Sequence, residues 1–342
     1  MRKPTLLITL GDVAGIGPEI VARAWPNLRD YCTPVVVGDP GWVGQGCELV
    51  GVQAEPLEYA LIEDVPPDLP AGLIPVLNPL SGHDLSAIRS GTVSAEGGAA
   101  AYSYLTFAID ECLAGRADGI VTCPLHKEGL HAAGVHYPGH TEILADRTGA
   151  KSHAMLLYDE ELPLAVAHVT LHMALRDVFR HITKESVLDK VRLLHDIVPR
   201  LTGRPARIAV AALNPHASDG GLFGDEEQTV IAPAVEAARA EGIDAAGPIA
   251  ADAVFLPHNR AKYDGVVAMV HDHGHIAMKL LGGRRAVNVT AGLPIVRTSV
   301  AHGTAYDIAG KGVADESSLV SAVRVAARLA ARNNRASESS FS

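Results

Sequence analysis

Histidines at short, regular spacings are the residues of this chain best suited to chemistry. Val270–His275 reads VHDHGH, with His271, His273 and His275 at every second position and Asp272 beside the first. Imidazoles bind divalent metals and move protons near neutral pH. The preceding apolar run, YDGVVAM, predicts a buried strand, and alternate residues of an extended chain point to one face. That geometry allows a three-histidine site on one strand end, or one share of a site gathered from several. His168 and His172, in HVTLHMALRDV, are four apart and share a face whether the segment is helical or extended. Either also suits a core position with a satisfied hydrogen bond. In LNPHASDGGLFGDEE, a strand delivers Asn214, His216, Ser218 and Asp219 into a loop loosened by Gly220 and Gly221. So many polar groups at a strand terminus read as a site.

A zinc-like ion needs three or four ligands and an open position for substrate. Neither H-E-x-x-H nor a paired-cysteine pattern is present. A mononuclear site therefore has to be assembled from separate strand ends. Lys279 and Arg297 together suit a phosphate or carboxylate, Arg by its bidentate fork and Lys as a point charge. In YPGHTEIL, Gly139 permits a turn and Thr141 is placed to cap a following helix, which sets His140 at a helix N-terminus. GDVAGIGPEI is a glycine-rich passage from strand to helix that brings backbone N–H groups near an anion. Its Gly11, Gly15 and Gly17 do not have the G-x-G-x-x-G spacing, and as a lone motif it reads equally as a tight turn.

The elements that must position these groups alternate between strand and helix. Strands are predicted at Thr5–Leu10, TPVVVGD, GIVTCPL, the pair HAMLLY and LPLAVAHVTLH, RIAVAALNP and YDGVVAMVHD. Helices are predicted from Pro18 to about Trp25, over Ser94–Ala114, Thr141–Thr148, TKESVLDKVRLLHDIV, EEQTVIAPAVEAARAEG and Ser317–Arg332. Residues 45–90, rich in Pro, Gly and acid, read as irregular structure. Gly97 to Ala101 predict close packing of the Ser94 helix. The alternation is the α/β signature of a largely parallel sheet with helices on its faces. Such folds place ligands at strand-end loops.

The bulk numbers bound the function. The 342 residues suit two domains or one two-lobed unit, and 48% hydrophobic with 20% charged residues suits a sizeable core. A net charge of −10 leaves no basic stripe for nucleic acid. No stretch approaches the roughly 18 apolar residues of a membrane helix. The four cysteines form no C-x-x-C pair, so a reducing cytoplasm is the expected compartment.

Five segments, in the order GDVAGIGPEI, GHTE, NPHASDGGLFGDEE, MVHDHGHIAMK and GLPIVRTSVAHGTAYDIAGKGVAD, run from Gly11 to Asp315. Together they resemble the 4-hydroxythreonine-4-phosphate dehydrogenase family. The first and last are also similar to segments of isopropylmalate and isocitrate dehydrogenases. The resemblance implies a two-lobed α/β fold of that wider type with the active site in the cleft between lobes. It places a nucleotide-binding lobe at about 1–135 and 300–342, and a substrate, metal and dimerisation lobe at about 136–299. It implies a divalent metal (Zn, Mg, Mn or Co) on His172, His216 and His271, with ligands drawn from both subunits of a homodimer. Substrate contacts are implied at His140, Thr141, Lys279, Asn288 and Arg297. A non-Rossmann site for NAD, or NADP, is implied at His302, Gly303, Thr304, Ala305 and Asp307.

The implied reaction is oxidation of a secondary alcohol, then decarboxylation, in a small phosphorylated hydroxy acid. Candidates are 4-hydroxythreonine 4-phosphate, 4-phospho-D-threonate and 4-phospho-D-erythronate. A related branch acts on terephthalate cis-dihydrodiol. Asp272, Lys279 and Asp252 are the candidate catalytic acid–base groups. Val13 and His273 stand where the biosynthetic members carry proline and glutamine, and GHI before Lys279 looks like the catabolic members. His273 and His275 are then expected to shape the substrate pocket or orient a ligand. A non-enzymatic binding protein on this fold predicts lost ligands, and a phosphate-handling enzyme without NAD leaves HGTAYDIAGK unexplained.

Overall fold

The structure is a computed structural model that describes residues 2–339. In chain order its elements are β1 (Thr5–Thr9), α1 (Gly17–Leu28), β2 (Thr33–Val37), α2 (Pro40–Val50), β3 (Glu55–Tyr59), β4 (Leu73–Leu77), α3 (Ala95–Leu113), β5 (Gly119–Thr122), α4 (Lys127–Ala132) and α5 (His140–Thr148). There follow β6 (Ala154–Asp159), β7 (Leu164–His168), α6 (Leu175–Val178), α7 (Lys184–Thr202), β8 (Ile208–Ala211), α8 (Ala232–Ala240), β9 (Ala245–Ile249), α9 (Ala251–Val254), α10 (Pro257–Arg260) and β10 (Gly265–Ala268). The last are α11 (His271–Gly282), β11 (Val287–Ala291), β12 (Arg297–Ser299) and α12 (Ser317–Ser339). The chain divides into two compact units, Met1–Lys151 with Leu293–Ser342, and Ser152–Gly292. His140, Thr141 and Arg297 accordingly fall in the first unit, with His302–Asp307.

In the first unit the strands run β3-β4-β2-β1-β5-β12, every pairing parallel. The central strands TLLIT and GIVT are buried at every position, as strands covered on both faces must be. Because β1, β5 and β12 are neighbours pointing one way, the loops that follow them emerge side by side. Helix packing is close where glycine allows it. A Cβ on Gly98 of α3 would stand 2.1 Å from the Gly129 carbonyl oxygen of α4. The α3 N-terminus is capped by Ser94, whose hydroxyl accepts from Gly97 N at 3.0 Å.

The second unit is mixed. Its strands run β11-β6-β7-β10-β8-β9, with β6 antiparallel to both its neighbours and the rest parallel. A core of Leu157, Val166, Ala209, Val266 and Met278 sits under this sheet. Here β7, β10 and β8 are adjacent and parallel, so their C-terminal loops share one edge.

Two readings of local structure need correction. Residues 45–90 are not irregular throughout. They hold the end of α2 and the strands β3 and β4. The pattern was hidden because β3, EPLEY, is an edge strand with no fully buried position. Helix α2 was masked by Gly41, Gly44 and Gly46, yet Gly46 is needed: a Cβ there would lie 2.5 Å from the Pro18 carbonyl oxygen of α1. The helix expected over EEQTVIAPAVEAARAEG begins as a widened π turn, Glu227–Ile231, before α8. Pro233, near the α8 start, supplies no backbone donor to the ladder.

Candidate functional site

The opening cluster is helical, which corrects the reading of VHDHGH as a strand end. The strand β10 stops at Ala268 and α11 starts at His271. The buried positions Gly274, His275, Met278 and Gly282 fall at helical spacing, a signal present in the sequence. His271 and His275, four apart, therefore stack with ring centroids 3.7 Å apart and planes 11° apart. His273 leaves that stack.

Hydrogen bonds fix the tautomers. His275 Nδ1 lies 3.2 Å from the His271 carbonyl, which can only accept, so Nδ1 carries the proton. The same nitrogen lies 3.2 Å from His168 Nε2, making that atom an acceptor. Neutral His168 then holds its proton on Nδ1, which is buried without a hydrogen-bond partner. Burial, and next the neighbouring His275, push His168 down to about 3; burial, and next His271, push His275 down to about 4. Both imidazoles are thus held neutral. Gly274 makes the contact possible, since a Cβ there would stand 2.2 Å from His168 Nε2.

His271 donates from Nδ1 to Asp272 Oδ1 at 2.7 Å, which leaves the Nε2 lone pair for a metal. This bond is the main cause holding the Asp272 carboxyl below its usual range. His172 lies on the loop after β7, its ring centroid 5.7 Å from that of His271. Both line an open hollow of about 250 Å³ with Thr170, Met173 and Asp272. Lys279 is exposed on α11, four residues beyond His275, and Asn288 is partly buried on β11 with its Oδ1 unpartnered. Asp252 is exposed on α9.

His216 follows β8 on a turn of unusual geometry. His216, Ala217, Ser218 and Asp219 all have left-handed backbones, with φ of 56°, 55°, 70° and 47°. Among the described residues no ring contact or hydrogen bond joins His216 to the other imidazoles, and no three His, Cys, Asp or Glu side chains close into a metal-holding group. Even so, His172, His216 and His271 follow three adjacent parallel strands, β7, β8 and β10, at one sheet edge. All are imidazoles, and His271 has its distal nitrogen fixed by a carboxylate. The chemistry of this donor set fits a divalent ion.

In the first unit, α5 begins at His140 itself, so Thr141 sits in the first turn and does not cap it. Burial, and next the Arg297 charge, push His140 well below its ordinary value, while the Cys123 carbonyl accepts a hydrogen bond from it. Arg297, at the start of β12, is 2% exposed and donates from Nη2 to Thr122 Oγ1 at 2.8 Å. Burial lowers it to about 9, against the pull of Glu142.

His302, Gly303 and Asp307 are exposed on the loop after β12, with Thr304 buried and Ala305 left-handed at φ 48°. This loop locks onto the one after β1. Ile16 N donates to the Thr304 carbonyl at 3.1 Å, and Tyr306 Oη donates to Asp12 Oδ2 at 2.5 Å. Tyr306 also stacks on His126, centroids 4.7 Å apart. Gly303 has no atom within 4 Å of where a Cβ would stand, so backbone is bare there. Asp12, His126 and Tyr306 were not singled out from the sequence; the first and last lie inside the motifs at Gly11 and His302.

Residues 30–326 match the family model described as pyridoxal phosphate biosynthetic protein PdxA. A 4-hydroxythreonine-4-phosphate dehydrogenase of Beijerinckia indica is 46% identical, covering 95% of this chain and 94% of its own. A D-threonate 4-phosphate dehydrogenase of Bordetella bronchiseptica is 42% identical over 96% and 93%. The solved 4-hydroxythreonine-4-phosphate dehydrogenase of Klebsiella pneumoniae superposes with a TM-score of 0.84 at 39% identity, covering 96% and 99%. A terephthalate 1,2-cis-dihydrodiol dehydrogenase of Burkholderia xenovorans gives 0.65 at 29%, covering 96% and 98%.

Proposed function

This chain belongs to the pyridoxal phosphate biosynthetic protein PdxA family, and from that premise we propose that it is a metal-dependent, NAD-dependent dehydrogenase of small 4-phosphorylated hydroxy acids. NADP is the alternative nicotinamide. The observation that carries this reading is the order of the sheet edge, where three adjacent parallel strands each deliver one imidazole, His172, His271 and His216. A divalent ion held there supplies Lewis acidity toward the substrate's hydroxyl and keto oxygens.

The chain's own groups bind, orient and move the proton. Arg297 offers a planar fork to the phosphate or carboxylate, and Thr122 fixes one of its nitrogens. His140, Thr141, Lys279 and Asn288 complete the contacts with the substrate. The neutral His140 donates or accepts without adding charge beside Arg297. The segment His302–Asp307, held by Ile16 and by Asp12 through Tyr306, presents backbone to the dinucleotide. A nicotinamide held along His302–Asp307 would supply the hydride acceptor for the carbinol C–H, while the hydroxyl proton leaves to a base. The β-keto acid formed then breaks its C–C bond and releases CO₂, the electron pair passing into an enolate whose α-carbon takes up a proton to give the ketone. Among the base candidates we favour Lys279. Asp272 is engaged with His271 and acts by orienting it, and Asp252 is displaced onto α9.

A homodimer, with ligands drawn from both subunits, is part of this reading. It is supported by exposed apolar side chains of the second unit, among them Leu175, Phe179, Leu222, Phe223, Ile276 and Leu280. Ile276 and Leu280 are four apart on α11, on one face. Light scattering should give twice 35.8 kDa; a fully active monomer refutes the shared site. The four cysteines are free and buried, which supports a reducing cytoplasm as the place of action. Among the described residues no helix is long and apolar enough to cross a membrane.

The test is NADH formation by purified protein with Zn, Mg, Mn or Co. The substrates are 4-hydroxythreonine 4-phosphate, 4-phospho-D-threonate, 4-phospho-D-erythronate and terephthalate cis-dihydrodiol. Turnover of one or more of the phosphorylated acids is expected. Turnover of the dihydrodiol alone, or of none with metal bound, overturns the proposal.

A further inference from the structure

The four consecutive left-handed residues that carry His216 require a cause. Each has a Cβ, and the left-handed region is sterically unfavourable for L residues, which occupy it singly as a rule. A run from His216 to Asp219 is stable only if its surroundings hold it. Those surroundings converge on one carboxylate. Glu227 is 2% exposed. Its Oε1 accepts from Leu213 N at 2.8 Å and from Asn214 N at 2.7 Å. Its Oε2 accepts from Asn214 Nδ2 at 2.9 Å. The Ser218 side chain stands beside the same carboxylate. Despite the burial, these donors hold Glu227 below its usual range, so the group is an anion in place.

The carboxylate thus grips the backbone just before His216, at Leu213 and Asn214. The return of the loop adds a second grip: Ser218 Oγ donates to the Gly224 carbonyl. Gly224 passes so near that a Cβ would stand 2.7 Å from Asn214 Nδ2. Glu227 is itself the first residue of the π turn, a local widening of the kind that recurs at functional sites.

We propose that Glu227 is a positioning residue, which holds the left-handed turn and so presents His216 to the metal. The inference rests on the reading of His216 as a ligand. Glu227 touches neither metal nor substrate; it acts through the backbone of Leu213 and Asn214, from which the turn departs.

The test uses the full-length protein and measures metal affinity by chelator competition without substrate, beside hydrogen exchange of amides 213–221. His216→Ala serves as the ligand control and should lower affinity most. Glu227→Gln keeps the size but weakens the acceptor, and should raise the metal Kd about 10-fold or more, within the range seen when a group behind a ligand is lost. Exchange at 213–221 should rise with it. Ala217→Gly removes the left-handed penalty at one position, so the Glu227→Gln/Ala217→Gly pair should recover part of the lost affinity. A general loss of folding would show no such rescue. Should Glu227→Gln fail to fold, Glu227→Asp keeps the charge but draws the acceptor back by one methylene, and should raise Kd about threefold. Unchanged Kd in Glu227→Gln while His216→Ala loses metal overturns the proposal, as does absence of rescue. If His216→Ala binds metal normally, the metal reading falls instead. The holding of the turn then stands if exchange at 213–221 rises in Glu227→Gln, and falls if it does not.

Discussion

Gly274 of α11 gives a prediction whose sign depends on packing alone. In the middle of a helix, Gly→Ala is normally stabilising by about 0.8–1 kcal/mol, because glycine carries the larger entropic penalty. At Gly274 the added methyl would stand 2.2 Å from His168 Nε2 and 2.8 Å from Val166 Cγ1. His168 is 2% exposed and is bonded to His275, so it has nowhere to retreat. Overpacking of this kind costs about 1–3 kcal/mol. Separating the two imidazoles forfeits about 1 kcal/mol more. The steric and hydrogen-bond losses outweigh the propensity gain, giving a net loss of about 1–3 kcal/mol. If Ser152–Gly292 melts as one unit, its unfolding entropy is on the order of 0.3 kcal/mol/K, so Tm should fall by about 3–10 °C. Differential scanning calorimetry of Gly274→Ala reads this directly. Adding His168→Ala removes the closer of the two contacts, so the methyl should cost less in that background than in the natural protein, a coupling of about 1 kcal/mol or more. A Gly274→Ala protein that melts at or above the natural one would mean that the methyl fits and helix propensity wins, which refutes the close contact of α11 with β7.

Acid should destabilise the metal-free protein early. His168 and His275 titrate at about 3 and about 4 when folded, below the ordinary 6.5. The unfolded chain therefore binds more protons below pH 6.5, and stability falls as pH drops from about 6.5 toward 3. Urea midpoints should decline across that window, and a midpoint flat from pH 6.5 to 5 contradicts it. Tyr306→Phe removes the hydroxyl bonded to Asp12 Oδ2, and Asp12 is 1% exposed. Leaving that carboxylate short of a donor should cost about 1–3 kcal/mol in urea titrations and raise the KM for NAD more than it lowers kcat; unchanged stability and KM would mean the two loops do not depend on the bond. Gly98→Ala should lower Tm, because its Cβ would meet the Gly129 carbonyl at 2.1 Å, a backbone atom that cannot rotate away. A Tm equal to the natural protein's would show that α3 and α4 are free to part.

The sequence made the buried parallel strands plain because they are unbroken apolar runs, as in TLLIT and GVVA. It also made the spacing of small residues in α3 plain, since Gly97–Ala101 has no other obvious use. What it hid were features that depend on partners distant in sequence. The glycines of α2 argue against a helix until Pro18 is seen against Gly46. Thr141 looks like a cap until the helix is seen to start at His140. The left-handed turn at His216 has no local signature, because only Gly220 and Gly221 beside it advertise positive φ. Its cause, Glu227, stands nine residues beyond Ser218. His172 and His271 come together because β7 and β10 pair, a fact of topology that no motif states.

The helical start at His271 redistributes the roles within VHDHGH. On a strand the three imidazoles would act on one target from one face. On a helix, i and i+4 share a face while i+2 turns away. His275 is therefore the residue that acts on His271: it stacks on the ring and, through His168, ties that ring to β7. His273 faces elsewhere, half-buried and with Nδ1 lacking a hydrogen-bond partner. A change at 273 should alter substrate preference while leaving metal affinity as it was, whereas a change at 275 should alter metal affinity first. Parallel measurements of metal Kd and substrate KM in His273→Gln and His275→Ala separate the two. A large metal effect from His273→Gln would return all three imidazoles to one face and refute the helical assignment of function.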